Sequence, residues 1–169
     1  MVEAMPQLYA DERVYFELVF RPSVVLTTTV RRFVSDFYER VLDDEDSTSR
    51  LAMATQELLE NAVKYGSHGE TVLRIEVLRS EGLVRIHTSN RSDALNIAIL
   101  ERRISEMRSA PDPVGFYQRL LRATVNEPDG SGLGLARIRC EGEMEVDLTV
   151  EGDRVAINAI ARTHSGAPS

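Results

Sequence analysis

Apolar residues recur along this chain in two periods, and the switches between them mark out its elements. Arg13 to Phe20 (RVYFELVF) is rich in β-branched and aromatic residues and predicts a strand. From Val24 to Leu42, the residues Val30, Phe33, Val34, Phe37, Tyr38 and Val41 return at helical spacing. Pro22 stands where a first helical turn needs no amide hydrogen, although the β-branched residues near Val24 weaken that start by propensity. The acidic run Asp43-Asp44-Glu45-Asp46 is expected as a loop ending this helix, and Ser47-Thr48-Ser49 offers an N-cap for the next. That second helix turns Leu51, Thr55, Leu58, Leu59, Ala62 and Val63 to one side. Gly66, just past Tyr65, is a candidate for the left-handed residue that closes a helix.

The period then changes to two. Thr71 to Arg79 and Leu83 to Thr88 alternate around Glu81-Gly82 and predict an antiparallel hairpin. Helical spacing resumes at Leu95, Ile99, Leu100, Ile104 and Met107, breaks at Pro111-Asp112-Pro113, and resumes from Val114 to Val125. A loop over 126–131 leads into Gly132 to Ile138, small residues followed by a helix. Glu143 to Val150 and Arg154 to Ala161 predict a last hairpin about Glu151-Gly152-Asp153. Residues 1–10 carry no pattern, and the tail from His164 to Ser169 is expected to be disordered. Strands come in hairpin pairs with helices grouped between them. The expected fold class is α+β, a two-layer α/β sandwich with a mainly antiparallel mixed sheet and helices on one face. One domain is expected for 1–169, with its core at about 13–161.

Composition narrows the partners. A net charge of −7 argues against nucleic acid as the main one. No apolar run suits a membrane span and no signal pattern opens the chain, so a cytoplasmic protein without a membrane partner is expected. The single cysteine, Cys140, has no internal disulfide partner, fits a reducing compartment, and is expected as a small buried filler. His68, His87 and His164 lack metal-ligand spacing with it.

Two stretches carry candidate chemistry. The second helix turns Glu57, Glu60, Asn61 and Lys64 away from its apolar side, at spacings where helical neighbours meet. Taken alone, this reads equally well as an ordinary solvated face. Asn61 is an indifferent helix former, and Lys64 is the only lysine of the chain. The second stretch is Gly130-Ser131-Gly132-Leu133-Gly134-Leu135. Glycines let a backbone approach a phosphate, and a following helix offers free N–H groups and the positive end of its dipole. It is neither a P-loop, lacking Gly-Lys-Ser/Thr, nor a dinucleotide fingerprint, lacking a preceding βαβ unit. By itself it also fits a flexible loop. Arg102, Arg103, Arg119, Arg122, Arg137 and Arg139 are further candidates for a charge-stabilising group, most of them expected on the surface.

Together, the two stretches resemble the GHKL ATPase superfamily, the fold of histidine-kinase catalytic domains, gyrase B and Hsp90. Glu57-Leu-Leu-Glu-Asn61-Ala-Val-Lys-Tyr-Gly66 is similar to its N box, and Gly130 to Leu135 to its G2 box. The chain most resembles the stand-alone bacterial anti-sigma-factor kinases, including the SiaB-type branch. The resemblance implies Glu57 as general base and Asn61 as the holder of Mg²⁺ between ATP phosphates. It implies Lys64 as a phosphate contact, and Gly130, Gly132, Leu133 and Gly134 as backbone around the triphosphate. The implied activity is phosphorylation of Ser or Thr on a protein antagonist (STAS-type), or sequestration of a sigma factor, by a protein that is often a homodimer.

One motif departs. The G1 box Asp-x-Gly-x-Gly aligns with Asn90, Ser92 and Ala94. An Asn carbonyl still accepts a hydrogen bond from an adenine amino group, without charge assistance. Asp93 is the second candidate for that role. The alternative function is therefore a non-catalytic GHKL-fold binding module, a pseudokinase that has lost nucleotide binding. A third reading, an unrelated α/β domain with chance motifs, stays open here.

Overall fold

The computed structural model describes residues 13–124 and 132–163. In chain order they form β1 (Arg13–Phe20), α1 (Val24–Val41), α2 (Glu45–Tyr65), β2 (Thr71–Leu78), β3 (Leu83–Arg91), α3 (Ala94–Ser109), α4 (Pro113–Thr124), α5 (Leu133–Cys140), β4 (Glu145–Glu151) and β5 (Arg154–Arg162). The sheet order is β1-β2-β3-β5-β4 and every pairing is antiparallel. The expectations for residues 1–10, for the loop with Gly130 and for the tail fall outside the described residues.

The register explains the two layers. Directly paired residues point to the same side of a sheet. Phe16, Ile75, Ile86, Ala159 and Val146 form one such row across all five strands, and Leu18, Leu73, Thr88, Ile157 and Leu148 form the next. This side carries the helices. Phe16 meets Phe33 and Phe37 of α1 edge to face, and Leu51, Leu58 and Leu59 of α2 lie in the same core. Each such buried leucine contributes about 1.5–3 kcal/mol. The opposite side shows Tyr15, Glu76, Arg85 and Ile160 in one row. There Glu76 pairs with both Arg13 and Arg85, and Arg13 and Arg74 stack on the Tyr15 ring.

The fold is the two-layer α+β sandwich that the alternation of periods predicts. Three local expectations are corrected. The acidic run is not a loop that delays α2: Asp44 is its N-cap, accepting from the amides of Asp46 and Ser47, and Glu45 and Asp46 sit in its first turn. Carboxylates complement the free N–H groups and the dipole there. The buried side of α2 includes Ala54 and Tyr65, whereas Val63 is 41% exposed, so the stripe is rotated away from it. Gly66 is extended, at φ −70°, and not left-handed. Its lack of a side chain serves space: a Cβ there would meet the Ala62 carbonyl oxygen at 2.3 Å.

A buried relay ties α1 to α2. The Tyr38 hydroxyl bonds to Thr55 Oγ1 at 3.0 Å, and Thr55 donates to the Leu51 carbonyl at 2.8 Å. It fixes the rotation of α2, and with it the face that carries Glu57, Asn61 and Lys64. Among the described residues, no helix is long and apolar enough to cross a membrane.

Candidate functional site

Because the buried stripe of α2 faces the sheet, its polar face looks towards α5. The two helices close on a pocket of about 270 Å³. Glu57, Glu60, Asn61, Lys64 and Tyr65 line it from α2, Tyr117 and Thr124 from α4, and Gly132, Leu133, Gly134 and Arg137 from the start of α5. Six residues singled out in the sequence, some seventy positions apart, thus share one cavity: Glu57, Asn61, Lys64, Gly132, Leu133 and Gly134.

Glycine is required at the junction for two different reasons. Gly132 caps α5 in the left-handed region, at φ 65°. Its backbone also runs against Arg103, whose Cδ would lie 2.9 Å from an added Cβ. At Gly134 an added Cβ would lie 2.5 Å from Glu57 Oε2, so the carboxylate would have to swing aside.

Glu57 is the electrostatic centre. Its side chain is 15% exposed, and its Oε1 accepts from Arg137 Nη1 at 3.0 Å. Burial pushes its carboxyl above the ordinary glutamate value, and Glu60 and Glu141 add to this. The hydrogen bond and charge of Arg137 pull the other way. Arg137 Nε also donates to Glu141 Oε2 at 2.7 Å. Tyr117 completes the chain by bonding to Glu141, its phenol pushed up to about 12 by burial first and by that bond second.

Asn61 differs from Glu57 in having an unbonded polar atom. Its Nδ2 is buried and makes no hydrogen bond. A buried amide without a partner costs about 1–3 kcal/mol, and this one lines a pocket. Lys64 is exposed at the rim, its Nζ 5.5 Å from the centre of the Tyr65 ring. A Mg²⁺–phosphate group fits both ends of the Asn61 amide, the carbonyl oxygen as one of the few protein ligands Mg²⁺ takes and the unbonded nitrogen as a donor to a phosphate oxygen. Among the described residues no His, Cys, Asp and Glu cluster forms a dedicated metal cage.

Asn90 does not line this pocket. It is buried at the end of β3, near Gly66, and its Nδ2 donates to the Arg91 carbonyl at 3.0 Å. The Ser92 hydroxyl donates to the Tyr65 carbonyl at the end of α2, and the Ser92 amide to Asp153 O at 2.8 Å. Asp93, the second candidate for an adenine contact, is the N-cap of α3 and accepts from the Asn96 amide at 2.8 Å. This corner is built as a strand-to-helix junction.

Two contributors stand out only in the fold. Arg137 is one of six candidate arginines in the sequence, and Tyr117 falls within the helical spacing from Val114 to Val125. The usable signal for Arg137 was its position one turn past Gly134, on the side of α5 that closes on α2. Other arginines have structural work: Arg103 donates to the Tyr65 hydroxyl, and Arg139 to the Met107 and Ala110 carbonyls at the end of α3. Cys140 is half-buried and not a core filler.

No protein-family model matches the chain, and no curated protein does. Among solved structures, a chain in the crystal structure of the SiaB-SiaC complex from Pseudomonas aeruginosa is similar to it, with a TM-score of 0.63 at 18% identity. The likeness covers 85% of this chain and 88% of that one. At this identity it is a likeness of fold.

Proposed function

We propose that this chain is an ATP-binding regulator of the partner-switching type, which uses Mg·ATP to phosphorylate a Ser or Thr hydroxyl on a protein antagonist. The observation that carries the reading is the shared pocket of Glu57, Asn61, Lys64 and the glycines at the start of α5. Its similarity in fold to a chain solved in a two-protein complex agrees with a partner protein. Assignment to the GHKL superfamily rests on the same motifs.

In this reading the Asn61 carbonyl oxygen would hold the phosphate-bound Mg²⁺, which when bound neutralises phosphate charge, and the unbonded amide nitrogen would donate to a phosphate oxygen. Lys64 adds a point charge at the rim. The backbone at Gly132 to Gly134 lets the polyphosphate lie against the start of α5. The attacking hydroxyl gives its proton to Glu57 as its oxygen bonds to the γ-phosphorus and ADP leaves, a reaction governed by positioning and charge. Burial favours Glu57 as a base by raising its proton affinity towards the working pH.

A second reading, a binding module without catalysis, is favoured by the corner at Asn90. There the Asn90 amide nitrogen, the Ser92 hydroxyl and both carboxylate oxygens of Asp93 are bonded within the fold. The pocket, at about 270 Å³, is also smaller than the roughly 300–1,000 Å³ of sites that enclose drug-sized ligands. Thermal unfolding separates the two readings. Mg·ATP at a hundred times its Kd adds about 2.7 kcal/mol and raises Tm. An unchanged Tm at millimolar Mg·ATP and Mg·ADP would discard the kinase in favour of the binding module.

A further inference from the structure

Arg137 is the cation that reaches the carboxylate of the proposed base. Its guanidinium spans two acids, with Nη1 on Glu57 at 3.0 Å and Nε on Glu141 at 2.7 Å. The two carboxylates differ in setting: Glu57 is 15% exposed and Glu141 42%. A carboxylate engaged in a charge-assisted bond has its oxygen occupied and its proton affinity lowered. Glu57, as it stands, is a restrained base. The same guanidinium lines the pocket that Asn61, Lys64 and Gly134 line.

We propose that Arg137 is a positioning residue that holds Glu57 idle and is drawn off it by the phosphate chain of an incoming nucleotide, so that Glu57 becomes a base only in the loaded site. The proposal rests on the nucleotide reading above and adds a regulation to it. A planar guanidinium suits phosphate oxygens, which it engages two at a time. A polyphosphate carries more charge than the single carboxylate it competes with. Once Arg137 moves, Glu57 keeps the burial that raises its proton affinity and loses the cation that lowers it. The groups facing Glu57 all enter the balance: Glu60 and Lys64 from α2, Arg137 and Glu141 from α5, and Tyr117 of α4 through Glu141. Of these, Arg137 carries the direct bond to Glu57, and its departure shifts the titration upward.

The test follows the Glu57 carboxyl directly. The full chain is labelled with ¹³C at glutamate side-chain carboxyls, the Glu57 signal is identified by its loss in Glu57→Gln, and its pH titration is recorded with and without Mg²⁺ and a non-hydrolysable ATP analogue. The midpoint is expected to move upward when the analogue binds. In Arg137→Ala it stands higher before any addition and moves less, while Arg137→Lys restores part of the wild-type behaviour. Calorimetry on Arg137→Ala should show roughly tenfold weaker binding of the analogue. If the analogue binds and the wild-type midpoint stays put, the regulation is refuted and the nucleotide reading survives. If calorimetry finds no binding at millimolar analogue, both are overturned. The wild-type titration decides the question even if Arg137→Ala does not fold. A purely structural Arg137, serving only to join α5 to α2, would leave the midpoint independent of nucleotide.

Discussion

Two asparagines, twenty-nine positions apart, show how differently the two ends of the candidate site are built. Asn61 lines the pocket and has a buried amide nitrogen with nothing bonded to it. Asn90, also buried, has its amide nitrogen on the neighbouring carbonyl of Arg91. The same amide nitrogen is unbonded in one residue and bonded in the other. Around Asn61, a carboxylate, an ammonium and a tight glycine junction face one cavity. Around Asn90, Ser92 holds the end of α2 and Asp93 starts α3. The contrast teaches that residue type alone does not make a site. What matters is whether the fold has already used the group's hydrogen-bonding capacity.

The largest test of that contrast is at Glu57. Glu57→Gln should lower Mg·ATP turnover, followed as ADP formed, by roughly 10²–10⁴-fold, the range of general-base catalysis, while ADP affinity persists by calorimetry. Turnover that survives in this variant would remove Glu57 from the role of base. A smaller effect is expected at Gly134. In Gly134→Ala the new methyl meets Glu57 Oε2 at 2.5 Å, and turning the carboxylate aside, at the expense of its bond to Arg137, should cost about 1 kcal/mol in chemical denaturation. Nucleotide affinity should fall with it, and an unchanged affinity would show that the junction does not shape the site. The smallest effects compare the asparagines themselves. Asn61→Ala should weaken Mg·ATP by roughly tenfold and abolish most of the Mg²⁺ dependence. Asn90→Ala should change affinity by about threefold or less, because Asn90 does not line the pocket. Equal losses in the two variants would break the contrast and restore Asn90 as a ligand contact.

The fold was legible because its periods are clean. Alternation at Leu73, Ile75 and Val77, and helical spacing through Leu51, Leu58 and Ala62, each fixed an element's type and its buried side. The boundaries were less so, since Asp44 outcompeted Ser47 as a cap and no periodicity announces that. At the site, the convergence of Glu57, Asn61 and Lys64 with Gly132 and Gly134 followed from motif resemblance and was met by one pocket. The bond of Arg137 to Glu57 was not legible. It depends on how α5 rolls against α2, a tertiary fact. The commitment of Asp93 to capping α3 was hidden likewise, because an aspartate before a helix and an aspartate for a ligand look alike in one sequence.

None of the residues of α4 is buried, although Tyr117 and Thr124 wall the pocket. The opposite wall, α2, is threaded through the core by Leu51, Leu58, Leu59 and Tyr65. Opening α4 would lift the partly buried Phe116 from the edge of the core, whereas opening α2 would break the core itself. The cavity is therefore a vise with one fixed jaw and one yielding jaw. Whatever enters it is gauged against the rigid side, and accommodated by the soft one.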